Sequence, residues 1–131
     1  DAVLGLHPEV YKHHRAFLDA CSTAMAPDLL ELCKARMAQT LNCREELARH
    51  QPTLLAELES FDHSPSFTTL QRNALEFVDQ FLLDPAMISE DLVASLEDEM
   101  GASGVIDFAT IISAFEASLR LSTLLDLEPS L

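Results

Sequence analysis

The sequence predicts an all-α protein, and three observations support this class. Helix formers, above all Leu, Ala and Glu, dominate the chain, whereas runs of β-branched residues are nearly absent. Only 3 Gly and no Trp occur, and 48% of the residues are hydrophobic, which suits a packed core. The length of 131 residues fits one domain, so we expect residues 1–131 to form a single domain of six or seven helices.

Prolines mark the starts of the first two predicted helices. Pro8 suits a first helical turn, and this helix should run to about Met25. Pro27 opens the second helix, in which apolar residues recur at helical spacing. The apolar stripe of the first helix consists of Val10, Phe17, Leu18 and Cys21, and that of the second consists of Leu29, Leu30, Cys33, Met37 and Leu41.

Three shorter elements are predicted in the middle of the chain. Asn42 should break the chain or cap a short helix that covers residues 43–50. Pro52 restarts the chain, so that residues 53–61 form another short amphipathic helix. Residues 62–66, which contain Asp, Ser and Pro, are the clearest loop in the sequence.

The last part of the chain predicts three more helices. One is capped by Thr68 or Thr69 and ends at Asp84, which precedes a proline. The next starts after Ser89, has an acidic first turn and ends at Gly101. A long final helix should then begin at residue 103 or 104. It is apolar on more than one face, and we therefore expect it to be central or to lie in a subunit interface.

The charge of the chain excludes several kinds of partner. The formal net charge is −14, from 8 basic and 22 acidic residues. We therefore expect no nucleic-acid binding and no docking on an anionic membrane surface, and we see no apolar stretch of the roughly 20 residues that a membrane span needs. Residues 73–119 contain no Lys or Arg. This acidic region is either a solvated face, which we favour, or a docking surface for a basic partner.

The cysteines indicate a reducing compartment. Cys21, Cys33 and Cys43 form an odd set without a Cys-x-x-Cys pair, which is unsuited to a secreted disulfide framework. We therefore expect a cytoplasmic protein, with Cys21 and Cys33 in the core. We expect no cofactor and no metal site, because the sequence has no second Glu/His pair at the spacing of di-iron proteins.

The stretch from Cys43 to His50 has the strongest chemical signal. In a helix, Cys43, Glu46 and His50 would share one face. A helix N-terminus lowers the pKa of a thiol, and a carboxylate beside an imidazole raises its basicity. The same pair could supply two metal ligands. By spacing alone, however, a buried structural cysteine and a surface Glu–His pair are the better interpretations.

A known family shares this pattern. The run from Leu30 to Gln39, followed by Asn42-Cys43 and then His50, resembles the core motif of the alkylhydroperoxidase-D-like superfamily, which includes the carboxymuconolactone decarboxylases. Redox members of that family carry a Glu, then Cys-x-x-Cys, then a His. In this comparison Glu31 matches the Glu, Cys43 the first Cys and His50 the His, whereas Glu46 stands where the second Cys would be.

The resemblance extends from about Leu4 to Leu125 and is closer to the non-redox branch. That branch is similar in having a small residue at the first Cys position, a Glu at the second and the same His. With Glu46 in place of a thiol, two-thiol redox chemistry is excluded within the motif. The Tyr and Trp that often flank the decarboxylase Glu are also missing, because the neighbours of Glu46 are Glu45 and Leu47.

The resemblance implies an orthogonal helical domain that assembles as a dimer, trimer or hexamer, and it leaves three functions open. The first is a non-redox, decarboxylase-like lyase for a small carboxylate or lactone. In that enzyme His50 would be the general acid/base, Glu46 its orienting group or a second acid/base, and Glu31 a supporting carboxylate. The second is a non-catalytic binding or structural oligomer. The third is a peroxidase that uses Cys43 alone with an external thiol as reductant.

Overall fold

A computed structural model describes residues 7–125, and every regular element in this range is helical, which confirms the all-α prediction. Six α-helices are present in this range, as predicted, together with two short 3₁₀ helices at Phe61–His63 and Pro85–Met87. The α-helices are α1 (Pro8–Thr23), α2 (Pro27–Leu41), α3 (Arg44–Leu47), α4 (Pro52–Leu58), α5 (Thr69–Leu83) and α6 (Glu90–Leu124).

Helix α2 lies at the centre of the molecule. It packs against α5 and α6, and α1, α3 and α4 also contact it. Ala35 and Ala38 are completely buried, and their small side chains allow the neighbouring helices to approach closely. The main core joins α1, α2, α5 and α6, and a smaller apolar cluster around Leu58 and Phe61 lies beneath α4. Because α2 contacts five other helices, its polar side chains can form contacts with residues from several of them.

The junction between α2 and α3 orients the candidate site. Asn42 adopts a left-handed conformation with φ 52°. Its N–H donates to the Gln39 carbonyl, and the Cys43 N–H donates to the Ala38 carbonyl at 2.9 Å, which together form a Schellman motif. Asn42 therefore ends α2, and Cys43 rather than Asn42 is the N-cap of α3. The residue at the Cys43 position of this motif often makes an apolar contact, and Cys43 is 1% exposed.

The third helix is shorter than predicted. Only Arg44–Leu47 is α-helical, and the chain continues in tighter turns in which the Arg49 N–H donates to Glu46 and the His50 N–H to Leu47. The prediction of one helix over residues 43–50 is therefore wrong in length. The tighter turns still leave the side chains of Glu46 and His50 in contact.

The predicted helix caps mostly agree with the structure, whereas the stripe of α1 does not. The Thr68 hydroxyl accepts a hydrogen bond from the Gln71 N–H, and the Gln71 side chain accepts one from the Thr68 N–H, which is a capping box. Ser89 caps α6 as predicted. Val10 and Phe17, however, are 70% and 48% exposed, so only Leu18 and Cys21 of the predicted stripe are buried. The predicted loop over residues 62–66 begins inside a 3₁₀ helix.

Helix α6 confirms one prediction and requires one correction. Gly101 has non-helical angles (φ 77°, ψ 163°) and divides α6 at a kink into two helical segments, as predicted. By length and composition alone, α6 also has a segment that could cross a membrane, contrary to the prediction that no such stretch exists. This is weak evidence for a membrane span, because core helices meet the same criterion and Phe108, Ile112 and Leu119 of α6 are core residues.

Candidate active site

A buried histidine–carboxylate pair forms the centre of the site. His50 Nε2 lies 2.9 Å from Glu46 Oε1, and both side chains are 5% exposed. Glu46 is the one charged residue within residues 7–125 that is buried. A buried charge is stable only when other groups compensate it, so the surroundings of Glu46 decide the chemistry of the pair.

Two cations compensate the Glu46 carboxylate. Lys34 Nζ lies 3.8 Å from Oε1, and Arg49 Nη1 donates to Oε2 at 3.3 Å. Burial by itself raises the pKa of Glu46, but the hydrogen bond from His50 and the charges of Lys34, His50 and Arg49 together outweigh it, so the pKa lies below its usual value. Lys34 is held in place by the ring of Phe115, whose centroid is 4.7 Å from Nζ.

The second ring nitrogen of His50 has no partner. Because the ionised Glu46 accepts a hydrogen bond from Nε2, a neutral imidazole in this position carries its lone pair on Nδ1. Nδ1 is buried and makes no hydrogen bond with any residue in the described range. Glu31 Oε1 lies 3.6 Å away, which is too long for a hydrogen bond, and the Glu31 side chain is 57% exposed. Nδ1 of His50 is thus covered by the Glu31 carboxylate, which can rotate away because its side chain is exposed.

These groups border one cleft of about 280 Å³. Helix α2 contributes Glu31 and Lys34, which lie on one face at a spacing of three residues, and the α3 region contributes Glu46, Arg49 and His50. The structure therefore brings together three of the four residues that the sequence singled out. Two cations and two carboxylates border the cleft, so its formal charges balance, and the unpartnered Nδ1 favours an occupant that exchanges a proton.

Cys43, the fourth predicted site residue, does not border this cleft. It belongs to the main core together with Met37 and Ala38. Cys21 and Cys33 are also buried free thiols, as predicted, and burial raises the pKa of Cys33 to about 12. The thiols of this protein are therefore shielded from solvent, and none of them lies beside His50 in the cleft.

Sequence reasoning missed Lys34, Arg49 and His14. Lys34 lies off the apolar stripe of α2, and its three-residue spacing from Glu31 is the one sequence signal that could have identified it. Arg49 has the same spacing from Glu46. His14 is half-buried and borders a second cleft beside Glu46. No sequence signal connects α1 with Glu46, because this contact depends on how the helices pack.

Within the described range, no group of three or more His, Cys, Asp or Glu side chains is arranged to hold a metal ion. No protein-family model matches the chain, and no curated protein matches its sequence. The resemblance to the alkylhydroperoxidase-D-like superfamily thus rests on the motif residues and stays an expectation.

Proposed function

We propose that this protein is a non-redox enzyme in which His50 acts as general acid and base on a small substrate. The observation that carries the proposal is the buried, unpartnered Nδ1 of His50 beside a cleft, with Nε2 held by an ionised carboxylate. A buried polar atom without a partner costs about 1–3 kcal/mol, and such atoms call for an explanation. A substrate hydroxyl or acidic C–H group at Nδ1 would supply the missing partner.

Each residue then has a defined role. His50 Nδ1 accepts a proton from the substrate, and the resulting imidazolium returns it to the product. Glu46 is a positioning residue, because its hydrogen bond fixes the tautomer and its charge stabilises the imidazolium. Glu31 covers Nδ1, and when a substrate binds it moves aside or accepts a hydrogen bond from a substrate hydroxyl.

The cations of the cleft support a carboxylate-bearing substrate. Lys34 and Arg49 would bind the carboxylate, in keeping with the resemblance to the non-redox decarboxylase branch. In a decarboxylation, the bond between the carboxylate carbon and its neighbour breaks and CO₂ leaves. The electron pair stays on the neighbouring carbon, delocalised into a conjugated carbonyl. His50, which has taken up a proton from solvent at Nδ1, donates it to that carbon and becomes neutral again.

Burial argues against the peroxidase alternative. A peroxide would have to reach the Cys43 thiol, which is 1% exposed and belongs to the main core. Thiolate is the attacking species, and solvent-shielded structural thiols are inert. The non-catalytic oligomer remains the competing proposal, and the exposed Ile106 on α6 is compatible with a subunit interface in either case.

The test uses two histidines with different surroundings. A panel of small lactone carboxylates and β-keto acids is assayed for CO₂ release with the wild type, His50→Gln and His63→Gln. His63 is a matched control, because it also pairs with an acid, Asp62 at 3.6 Å, but is 84% exposed. We expect His50→Gln to lower turnover by about 10²–10⁴-fold and His63→Gln to leave it unchanged.

Circular dichroism and urea unfolding establish that both variants are folded. Equal turnover in wild type and a folded His50→Gln would contradict the role of His50. Absence of wild-type turnover on every substrate of the panel would favour the non-catalytic oligomer.

A further inference from the structure

A second cleft lies on the other side of Glu46, between α1 and α6. Its volume is about 320 Å³. Helix α1 lines it with Tyr11, His14 and Arg15, α6 lines it with Ser118 and Ser122, and the α3 region contributes Glu45, Glu46 and Arg49. Glu46 and Arg49 also border the candidate active cleft, so the two clefts share these side chains.

Both carboxylates of this second cleft already accept hydrogen bonds from the protein. Glu45 Oε1 accepts from Arg49 Nη2 at 3.0 Å, and Glu45 Oε2 accepts from the Ser122 hydroxyl at 2.7 Å. Glu46 accepts from His50 and Arg49. Each carboxylate oxygen of Glu45 and Glu46 therefore has at least one partner within the protein.

The donors of the cleft, in contrast, are largely free. The Tyr11 hydroxyl, the His14 ring and the Ser118 hydroxyl make no hydrogen bond with other residues in the described part of the chain. Arg15 pairs only with Asp19 there, at 3.6 Å, and both side chains are more than half exposed, so this contact is weak. Unused donors beside two guanidinium groups suit a ligand that accepts hydrogen bonds and carries negative charge, such as an oxyanion.

The distribution of charge along the chain is compatible with an anion at this place. Residues 1–50 contain six of the 8 basic residues and seven of the 22 acidic ones, so their formal charge is −1. The remaining residues contain two basic and 15 acidic residues, and their charge is −13. Helix α1 and the α3 region, which supply the basic groups of the cleft, thus belong to the nearly neutral part of a strongly acidic chain.

We propose that the cleft between α1 and α6 binds a small oxyanion, a carboxylate or phosphate group, through Arg15, Arg49 and His14. A guanidinium group presents paired N–H donors that match both kinds of anion. The volume is at the lower end of the range of about 300–1,000 Å³ for small-molecule sites. Tyr11 and Ser118 add neutral donors at the walls.

Arg49 connects this anion site with His50. Its contact with Glu46 Oε2, at 3.3 Å, is longer than its contact with Glu45, at 3.0 Å. A bound oxyanion competes for the same guanidinium and changes the charge around Glu46, which holds His50. This coupling to catalysis rests on the proposed function, whereas the binding itself does not.

The test is a titration of the folded protein with inorganic phosphate, followed through the ring signals of its histidines by NMR. We expect a saturable shift of the His14 signals and no shift of the exposed His63. Arg15→Gln should weaken binding about tenfold or more, because one charge-assisted hydrogen bond is lost. Lys12→Gln is the matched control, because it removes the same charge from α1 at an exposed position that does not border the cleft.

Several results would overturn the proposal. A shift that does not saturate, or one equal at His14 and His63, would indicate non-specific binding. Equal weakening by Arg15→Gln and Lys12→Gln would indicate a diffuse charge effect, and loss of binding in Lys34→Gln alone would place the anion in the other cleft. Succinate serves as a second probe, because binding of succinate, of phosphate or of both supports the site and identifies the anion class. Failure of both probes would refute the anion site without bearing on turnover at His50.

Discussion

His50 and His63 are both paired with a carboxylate, but their surroundings give them different chemistry. His50 Nε2 is 2.9 Å from Glu46, and both side chains are 5% exposed. His63 Nε2 is 3.6 Å from Asp62, and these side chains are 84% and 68% exposed. Water competes for every polar atom of the exposed pair, whereas the buried pair depends on Lys34 and Arg49 for compensation. The comparison teaches that burial, more than the identity of the residues, makes a pair of a histidine and a carboxylate a candidate for catalysis.

The largest expected difference between the two pairs is in stability. Glu46→Ala leaves Lys34 without its partner and leaves both nitrogens of the His50 ring unpaired, so we expect the free energy of unfolding to fall by about 2–4 kcal/mol. Asp62→Ala removes only a solvated contact and should change it by less than about 0.5 kcal/mol. Urea unfolding at neutral pH measures both values. Equal losses in the two variants would show that the buried pair contributes no more than the exposed one.

A smaller difference is expected in the response to acid. The pKa of Glu46 is lower in the folded protein than in the unfolded chain, where a Glu titrates near about 4.3. The folded state therefore gains stability from ionised Glu46 above that pH, and this gain is lost as the pH falls through the folded pKa. Glu46→Gln cannot titrate, so its stability deficit relative to the wild type should shrink below about pH 4.3. Unfolding curves at several pH values test this, with Asp62→Asn, which removes an exposed carboxylate, as the control.

The smallest expected effect is on chemical access to His50. Diethyl pyrocarbonate modifies accessible neutral imidazoles, so His63 should react quickly and His50 slowly. Glu31→Ala removes the carboxylate 3.6 Å from Nδ1 and should accelerate modification of His50 without changing the rate at His63. Mass spectrometry of the peptides over time measures both rates. An unchanged rate at His50 would mean that Glu31 does not limit access to Nδ1.

Much of the fold could be predicted from local patterns. Pro8, Pro27 and Pro52 each lie at the start of a helix, and Ser89 caps one, because these residues act on the backbone next to them. The contact between Glu46 and His50 follows in the same way from a spacing of four residues. The length of α3 was wrong, because the turn that ends it depends on hydrogen bonds that periodicity does not reveal.

The candidate site was only half predictable. Glu31, Glu46 and His50 could be named from the sequence, and the structure places them around one cleft. Cys43 was predicted as a site residue because it precedes a helix. The Schellman motif at Asn42, however, directs its side chain into the core. Lys34 and Arg49 were missed because an isolated basic residue resembles any surface charge until a buried carboxylate is found beside it.

The amino-acid sequence by itself determined the helical class, most helix boundaries and the local pairing of Glu46 with His50. These features depend on interactions between residues a few positions apart, which spacing and capping patterns express directly. Only the tertiary structure decided that this pair is buried, that Glu31 covers Nδ1, and that α1 and α6 form a second cleft beside Glu46. Burial and clefts arise where helices distant in sequence meet, and the same Glu–His spacing occurs equally on an exposed helix.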